Sequence, residues 1–398
     1  MPESNTGAST NSRLALARLV EDMRVLVSVG SGGVGKTTTA ASLGLYAATL
    51  GKRTLVITID PARRLANSLG IDELLHRPKT LDADRLAKAG IRVAAPMDAM
   101  MLDLKEAWDD MVRRSCADAA DADRIMQNRF YGYLSSELPG AQEFIACEAL
   151  HTLSEEHGYD LVVLDTPPTA NALDFLTAPQ KVLSFLDNDA LRLLTKDRTA
   201  VPGAAKLGMR FLDGAAGAAT SILSRFTGAQ LLDELGEFLL LLRSIYGPLI
   251  ERTRGFESRL KSHLTRFVIV TSPAPGPLRE ARYFSELLHE YGLQVGSAII
   301  NRVTPQPATS LAGLSPAALR SQMQEALPEC QLEKSDIQSV LTAIDQQTRA
   351  AQRDRDAINS TDAWLPSSLP RIEVPQMHGD VHDASRLREL LPWLVGDM

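Results

Sequence analysis

Cysteine is scarce in this sequence, and no segment is apolar enough to cross a membrane. The three cysteines, Cys116, Cys147 and Cys330, lie far apart and form no C-x-x-C pair. This spacing excludes a disulfide framework and favours a reducing compartment. The richest apolar run, residues 238–242, ends at Arg243, whereas a membrane span needs roughly 18 uninterrupted apolar residues. We therefore predict a cytoplasmic protein that meets a membrane only through a partner.

Blocks of basic residues are absent as well. The formal net charge is -7, and lysine and arginine are dispersed along the chain, which argues against a nucleic-acid partner. Residues 1–12 are polar and have no apolar centre of the kind that a signal peptide requires. We predict that residues 1–20 form a disordered tail.

The most informative segment that is present is a glycine-rich loop at residues 30–37. Its sequence, GSGGVGKT, matches the phosphate-loop pattern G-x-x-x-x-G-K-[ST]. An apolar run precedes it and a helical pattern follows it, so the backbone N–H groups and the helix N-terminus together form an anion cradle. The segment predicts binding of a nucleoside triphosphate. The predicted nucleotide-binding residues of the loop are Gly30, Ser31, Gly32, Gly33, Val34, Gly35, Lys36, Thr37 and Thr38.

Side chains around the loop have the chemistry that phosphoryl transfer to water requires. Lys36 is predicted to reach the β- and γ-phosphates, and the Thr37 hydroxyl is predicted to bind Mg²⁺. Residues 161–164 form an apolar strand that ends in Asp165, a carboxylate suited to hold the same ion through water. A carboxylate at a strand end often only caps a turn, but its pairing with the loop favours the metal role here.

A second predicted strand, residues 54–59, also ends in a carboxylate, Asp60. In a doubly wound sheet the carboxyl ends of the strands face the ligand crevice. Asp60 is therefore placed to orient the attacking water or to touch the metal shell, and we predict a catalytic role for Asp60 and Lys36. Arg63 and Arg64 either contact phosphate or solvate the start of a helix, and their spacing favours the structural role.

Two other positions carry weaker signals. Asn301 follows an apolar run and has an amide that can read the adenine edge, although a turn-forming role is the default for such an asparagine. His378 and His382 are four residues apart, but Gly379 between them argues against a helix, and we expect no zinc site.

Six apolar runs recur along the chain with helical patterns between them. This alternation predicts an α/β fold with a doubly wound, mostly parallel sheet that is covered by helices on both faces. The chain length allows two or three average domains, or one large α/β domain with insertions. The predicted strands are residues 25–29, 54–59, 161–164, 267–270, 295–300 and 371–374.

Long helical patterns interrupt the strands. Residues 99–116, 123–153 and 181–264 carry apolar residues at helical spacing, and residues 315–351 are typical of a helical pair. Residues 201–230 contain many glycines and are either a client-binding element or a poorly ordered connector. The predicted divisions are a phosphate-loop core (21–90, 154–180, 265–305 and 368–398), a helical subdomain (91–153 and 181–264) and a helical insertion (306–367).

The glycine loop and the two strand-end carboxylate segments resemble those of the arsenite-pump ATPase (ArsA) family. This family includes the chaperone ATPases of tail-anchored membrane-protein targeting. The resemblance lies in residues 30–39, 60–62 and 165–169 and extends in order over about residues 24–385. Within the family, the sequence resembles a bacterial member with a single ATPase unit and a P-loop NTPase core of the SIMIBI type. The resemblance implies that Asp60 activates water, that Asp165 lies beside the metal, and that Asn301 and Pro375 contact adenine.

The resemblance also implies what the protein does. Members of this family bind ATP and Mg²⁺ as dimers that close over the nucleotide and open after hydrolysis. This opening and closing rearranges a hydrophobic helical groove. We expect a homodimer, or a heterodimer with a related chain, that acts as a chaperone or targeting factor for membrane-protein clients. The alternatives are the ATPase subunit of an anion or metalloid exporter, and a partner-gated switch like the partitioning ATPases.

Some positions depart from the family pattern. Ser31 stands where family members usually carry a signature lysine that reaches the partner subunit's phosphates. Arg63, Arg64 or the partner would have to supply that charge, or closure is weaker. Asn171 replaces a usual histidine, and the absence of a C-x-x-C pair predicts that no zinc bridges the dimer.

Overall fold

The centre of the fold is an eight-stranded sheet. The computed structural model describes residues 6–59, 64–71, 74, 76–137, 141–156, 158–166, 238, 241, 247–248, 250–308, 314–326, 328, 332–377, 379 and 383–396. The strands are β1 (Val25–Val29), β2 (Thr54–Thr58), β3 (Lys79–Thr80), β4 (Met97–Met101), β5 (Leu161–Asp165), β6 (Thr265–Thr271), β7 (Val295–Val303) and β8 (Arg371–Pro375).

The strand order is β3-β4-β2-β5-β1-β6-β7-β8, and every pair is parallel except β3 with β4. The predicted mostly parallel, doubly wound sheet is confirmed, and each of the six predicted strands is present. Because β1 lies between β5 and β6, the loop that follows β1 emerges at the middle of the sheet's carboxyl edge. Ligands bind at this edge in open parallel sheets.

Helices cover both faces of the sheet. Residues 250–260 are also helical, and a short 3-10 helix spans Ser360–Ala363. The α-helices are α1 (Thr6–Asp22), α2 (Lys36–Thr49), α3 (Arg64–Leu69), α4 (Ala83–Lys88), α5 (Leu104–Ser115), α6 (Ala119–Gln127), α7 (Arg129–Glu137), α8 (Ala141–Glu156), α9 (Pro275–Glu290), α10 (Pro316–Ala326), α11 (Lys334–Asn359) and α12 (Ala384–Val395).

The core has two layers because side chains along each buried strand alternate between the faces of the sheet. Val25, Val27 and Val29 of β1 point into the layer that contains buried residues of α5–α9. Leu26 points into the opposite layer, with buried residues of α1–α4 and α12. The continuous apolar runs therefore serve both faces at once, as expected for a sheet covered on both sides.

Two of the predictions are wrong. The predicted disordered tail over residues 1–20 is a helix from Thr6 onward, because Leu16 and Val20 are fully buried in the layer that also contains α12. The helical pattern predicted over residues 99–116 begins with the end of strand β4, and its helix starts only at Leu104.

The helical pair predicted over residues 315–351 corresponds to α10 and α11, which lie between β7 and β8 in the chain. Residues 201–230 lie outside the described residues, as does most of the predicted helical stretch 181–264. The division of the chain into core, subdomain and insertion stays a prediction.

Candidate nucleotide-binding site

The loop between β1 and α2 has a backbone that only glycine can adopt at two points. Gly30 has a φ of 153°, and a Cβ atom there would lie 2.0 Å from the carbonyl oxygen of Val270. Gly35 has a φ of 98°, and a Cβ atom there would lie 2.3 Å from the Nδ2 atom of Asn301. The glycines of the loop pattern are thus explained by its close contact with β6 and β7.

Lys36 is the first residue of α2, and its side chain folds back over the loop. Its Nζ atom donates hydrogen bonds of 2.8 Å to the carbonyl oxygens of Gly30 and Ser31, and the side chain is only 6% exposed. The N-cap residue of α2 is Gly35, which supplies no side-chain cap. No side chain therefore caps the first N–H groups of α2, and an ammonium group lies beside them. This arrangement favours the binding of an anion.

A cluster of hydroxyl and carboxylate oxygens lies beside the start of α2. The Thr37 hydroxyl donates a hydrogen bond of 2.7 Å to Oδ2 of Asp165, and the Thr58 hydroxyl donates one of 3.0 Å to the same oxygen. Asp165 is fully buried at the end of β5. Oxygen donors are the ligands that Mg²⁺ prefers, and with its proton directed at Asp165 the Thr37 oxygen keeps lone pairs for an ion. The residues present therefore fit Mg²⁺.

Thr58 is a residue that the sequence analysis missed. It pairs with Asp165 in the parallel register of β2 and β5, which brings its hydroxyl to the carboxylate. A signal for it exists in the sequence, because Thr58 precedes Asp60 by two residues, and residues two apart in a strand point to the same face. The sequence did not indicate the partner of Thr166, whose hydroxyl donates a hydrogen bond of 2.7 Å to the carbonyl oxygen of Ser28 in β1.

The other predicted residues are placed as follows. Asp60 and Arg63 lie outside the described residues, whereas Arg64 is the exposed first residue of α3. Asn301 is turned toward the loop, where its Nδ2 atom donates a hydrogen bond of 2.9 Å to the carbonyl oxygen of Val34. Pro375 ends β8 opposite Val303 of β7, on the same edge of the sheet.

Ser31, at the position of the family's signature lysine, is buried. Its hydroxyl has no hydrogen-bond partner among the described residues. A serine of this kind contributes no positive charge to the site, and in the described part of the loop that charge comes from Lys36.

Other metal or membrane chemistry is not visible in the described part of the chain. No group of three or more His, Cys, Asp or Glu side chains there is placed to hold a metal ion. His378, His382 and Cys330 lie outside that part. None of the helices that the structure describes combines the length and apolarity needed to span a bilayer.

Comparison with known proteins covers the same part of the chain. The model of the anion-transporting ATPase family, ArsA ATPase, matches residues 23–219, which include the glycine loop, Thr58 and Asp165. The chain belongs to the ArsA ATPase family. As a member of that family it carries a P-loop ATPase domain.

Three relatives give the range of similarity. Putative arsenical pump-driving ATPase 1 of Aquifex aeolicus is 24% identical over 71% of this ArsA-family chain and 64% of its own length. A putative arsenical pump-driving ATPase of Halobacterium salinarum is 32% identical over 43% of this chain and 26% of its own. The ATPase ASNA1 homolog of Entamoeba dispar is 25% identical over 69% of this chain and 75% of its own. This chain thus spans less than two thirds of the first two relatives.

Proposed function

We propose that this protein is a Mg²⁺-dependent ATPase whose nucleotide cycle closes and opens a dimer and thereby controls a hydrophobic helical groove. The observation that carries the proposal is the junction at Asp165. One carboxylate oxygen accepts hydrogen bonds from Thr37 of the phosphate loop and Thr58 of β2. Such a junction links the nucleotide to two strands whose following segments lead into the rest of the molecule.

Each residue has a defined role in this proposal. The loop N–H groups and Lys36 bind the phosphates, and Thr37 and Asp165 hold Mg²⁺, which when bound neutralises charge on the phosphate oxygens. Asp60 orients the attacking water. Asn301, near the end of β7, and Pro375, at the end of β8, are proposed to contact the base.

Loss of the γ-phosphate would first affect the positions of Asp165 and of the segment after it. The Thr166 hydroxyl holds the start of that segment to the carbonyl oxygen of Ser28. A change in the position of Asp165 would therefore be passed to residues 167 onward, which lead toward the predicted second part of the helical subdomain. Segments that respond to a γ-phosphate in this way are a common type of nucleotide switch.

For the biological role we propose a cytoplasmic chaperone or targeting factor for membrane-protein clients, acting as a homodimer or as a heterodimer with a related chain. The sequence resemblance to the targeting ATPases and the similarity to an ATPase ASNA1 homolog support this role. The apolar residues of 201–230 are the proposed client contact.

A second candidate is the ATPase subunit of an anion or metalloid exporter. The family description and the names of the Aquifex and Halobacterium relatives favour it. A thiol-based metalloid site is less well supported here, because Cys147 is fully buried in α8 and Cys116 ends α5, with the only other cysteine of the chain at position 330.

Steady-state ATPase measurements distinguish the two candidates. The purified protein is assayed alone, with arsenite, with lipid vesicles, and with a hydrophobic helical peptide, and Lys36→Ala serves as the control for contaminating activity. We expect stimulation by the peptide and not by arsenite. Stimulation by arsenite alone would reject the chaperone role and support the exporter subunit.

Thr58 gives a more local test of the Asp165 junction. Thr58→Val keeps the size of the side chain but removes the hydroxyl, so Asp165 loses one donor and is less well oriented toward Mg²⁺. A hydrogen bond to a charged group contributes about 1.5–3 kcal/mol, so we expect the Mg²⁺ concentration for half-maximal hydrolysis to rise about 10-fold or more. Thr58→Ser, which keeps the hydroxyl, should remain close to wild type. A Mg²⁺ titration of Thr58→Val that overlays the wild-type curve would remove Thr58 from the site.

A further inference from the structure

The end of β7 contacts the phosphate loop through a single side chain. Asn301 donates from Nδ2 to the carbonyl oxygen of Val34 over 2.9 Å, and its Oδ1 accepts a hydrogen bond of 2.8 Å from the backbone N–H of Arg302. Both ends of the amide are therefore engaged by the protein itself. A side chain held in this way has a fixed orientation.

The backbone at this point is unusual. Arg302 has a φ of 61°, and it is the only non-glycine residue with a positive φ in the described part of the chain. The register between β7 and β8 shifts between Ile300 and Val303, so the strand is irregular at the same residues. Left-handed backbone is unfavourable for a residue with a Cβ atom, and such strain persists only where the surrounding structure requires it.

The left-handed turn lies directly beside the Asn301 amide. The chain turns directly after the N–H that bonds Oδ1 of Asn301, and Nδ2 of the same amide faces the loop. On the loop side, Gly35 leaves the space that the amide occupies, since a Cβ atom there would lie 2.3 Å from Nδ2. Val34, whose carbonyl accepts the bond, has its own side chain buried in the core. The loop is thus held from two sides immediately before Lys36.

We propose that Asn301 is a positioning residue of the phosphate loop, and that the backbone at Arg302, through its N–H, holds it in that role. This inference rests on the proposed function only in taking the loop to bind phosphates. It goes beyond the adenine contact predicted from the sequence, because the bonds to Val34 and Arg302 already occupy one hydrogen and one lone pair of the Asn301 amide. The end of β7 then helps to set the shape of the loop.

Amide hydrogen exchange of the nucleotide-free protein tests the proposal without relying on ATP binding. In Asn301→Ala, exchange of the amides of residues 30–37 should be faster than in wild type by about 10-fold, as expected for the loss of one holding hydrogen bond. Exchange in α9, on the opposite face of the sheet, serves as the internal control and should not change. Unchanged exchange in the loop would overturn the proposal.

Arg302 provides a matched pair of variants. Arg302→Gly removes the side chain but accepts the left-handed backbone, so loop exchange should stay at the wild-type rate. Arg302→Val places a β-branched residue in that backbone, so loop exchange should rise as in Asn301→Ala. If both variants accelerate exchange equally, the arginine side chain matters rather than the backbone, and the proposed role of Arg302 is wrong. Either variant keeps the test open should Asn301→Ala fail to fold.

Ligand binding separates positioning from base recognition. Displacement of a fluorescent ATP analogue is measured with ATP and with inorganic tripolyphosphate, which has no base. A positioning role predicts that Asn301→Ala weakens both by a similar factor, about 10-fold. Weaker ATP binding with unchanged tripolyphosphate binding would show a base contact only and overturn the proposal. If wild-type protein binds neither ligand while the exchange results hold, the ATPase proposal fails and the positioning of the loop stands.

Discussion

Lys36→Ala is expected to weaken ATP binding in magnesium buffer on the order of 10²-fold, which corresponds to about 2.7 kcal/mol. The Nζ atom of Lys36 already lies 2.8 Å from two loop carbonyl oxygens and is almost completely buried. The ammonium group is therefore held at the loop by the protein's own carbonyl groups, which restricts its side-chain freedom. Charge-assisted hydrogen bonds that are preorganised in this way are among the stronger ones in proteins.

Retention of labelled ATP, or a calorimetric titration, measures this effect. Lys36→Met keeps the aliphatic part of the side chain and removes only the charge, so it should lose binding to the same degree. Lys88→Ala, at an exposed position near the end of α4, is the matched control and should bind as wild type. Thermal unfolding of all three variants shows whether the fold is kept. Affinity of Lys36→Ala within a few-fold of wild type would remove the loop from the binding site.

The strand–loop–helix geometry at the glycine loop was predictable because its information is local in the sequence. A strand, a glycine loop and the start of a helix form one contiguous unit. The phosphate-loop pattern itself specifies Gly30, Gly35 and Lys36. Asp165 was predictable for a similar reason, since it ends an apolar strand of a parallel sheet. Its distance from Thr37 was not predictable, because the two residues are brought together only by the pairing of β1 with β5.

Contacts between strands that are distant in the chain explain what the sequence did not reveal. Thr58 reaches Asp165 across the β2–β5 pair, and the Val34 contact of Asn301 joins residues 267 positions apart. The sequence predicted an adenine contact for Asn301 and had no means to show that the loop would engage its amide. The positive φ of Arg302 was equally hidden, since nothing about arginine indicates left-handed backbone.

The two errors in the fold have the same physical origin. Strand β4 has the sequence MDAMM, and methionine and alanine favour helices, so local propensity pointed the wrong way. Tertiary contacts make this segment a strand instead. Strand β4 pairs with β2, and the buried Asp98 accepts hydrogen bonds of 2.6 Å from Thr80 and Tyr159. Helix α1 was missed because its packing partner, α12, lies at the other end of the sequence.

Asp60→Asn is expected to lower ATP hydrolysis by a factor on the order of 10² or more while leaving ATP binding nearly unchanged. Asp60 follows Thr58 by two residues, so at most about 7 Å of chain separates their Cα atoms. The Thr58 hydroxyl lies 3.0 Å from Asp165, so the last residue of β2 before Asp60 already contacts the proposed metal-side carboxylate. Asparagine keeps the size and one hydrogen-bonding oxygen but cannot draw a proton from water in the same way.

Separate measurements of binding and turnover distinguish this role from a structural one. A group that only shapes the site would weaken binding and hydrolysis together, whereas loss of water orientation lowers the rate of the chemical step alone. Asp82→Asn is the matched control, because it makes the same change at the exposed N-cap of α4, where asparagine caps as well as aspartate does. Its turnover should equal that of wild type. If Asp60→Asn also turned over at the wild-type rate, the carboxylate that orients water would have to come from another strand end. Asp165, which accepts hydrogen bonds from Thr37 and Thr58, would then both hold the metal ion and orient the water.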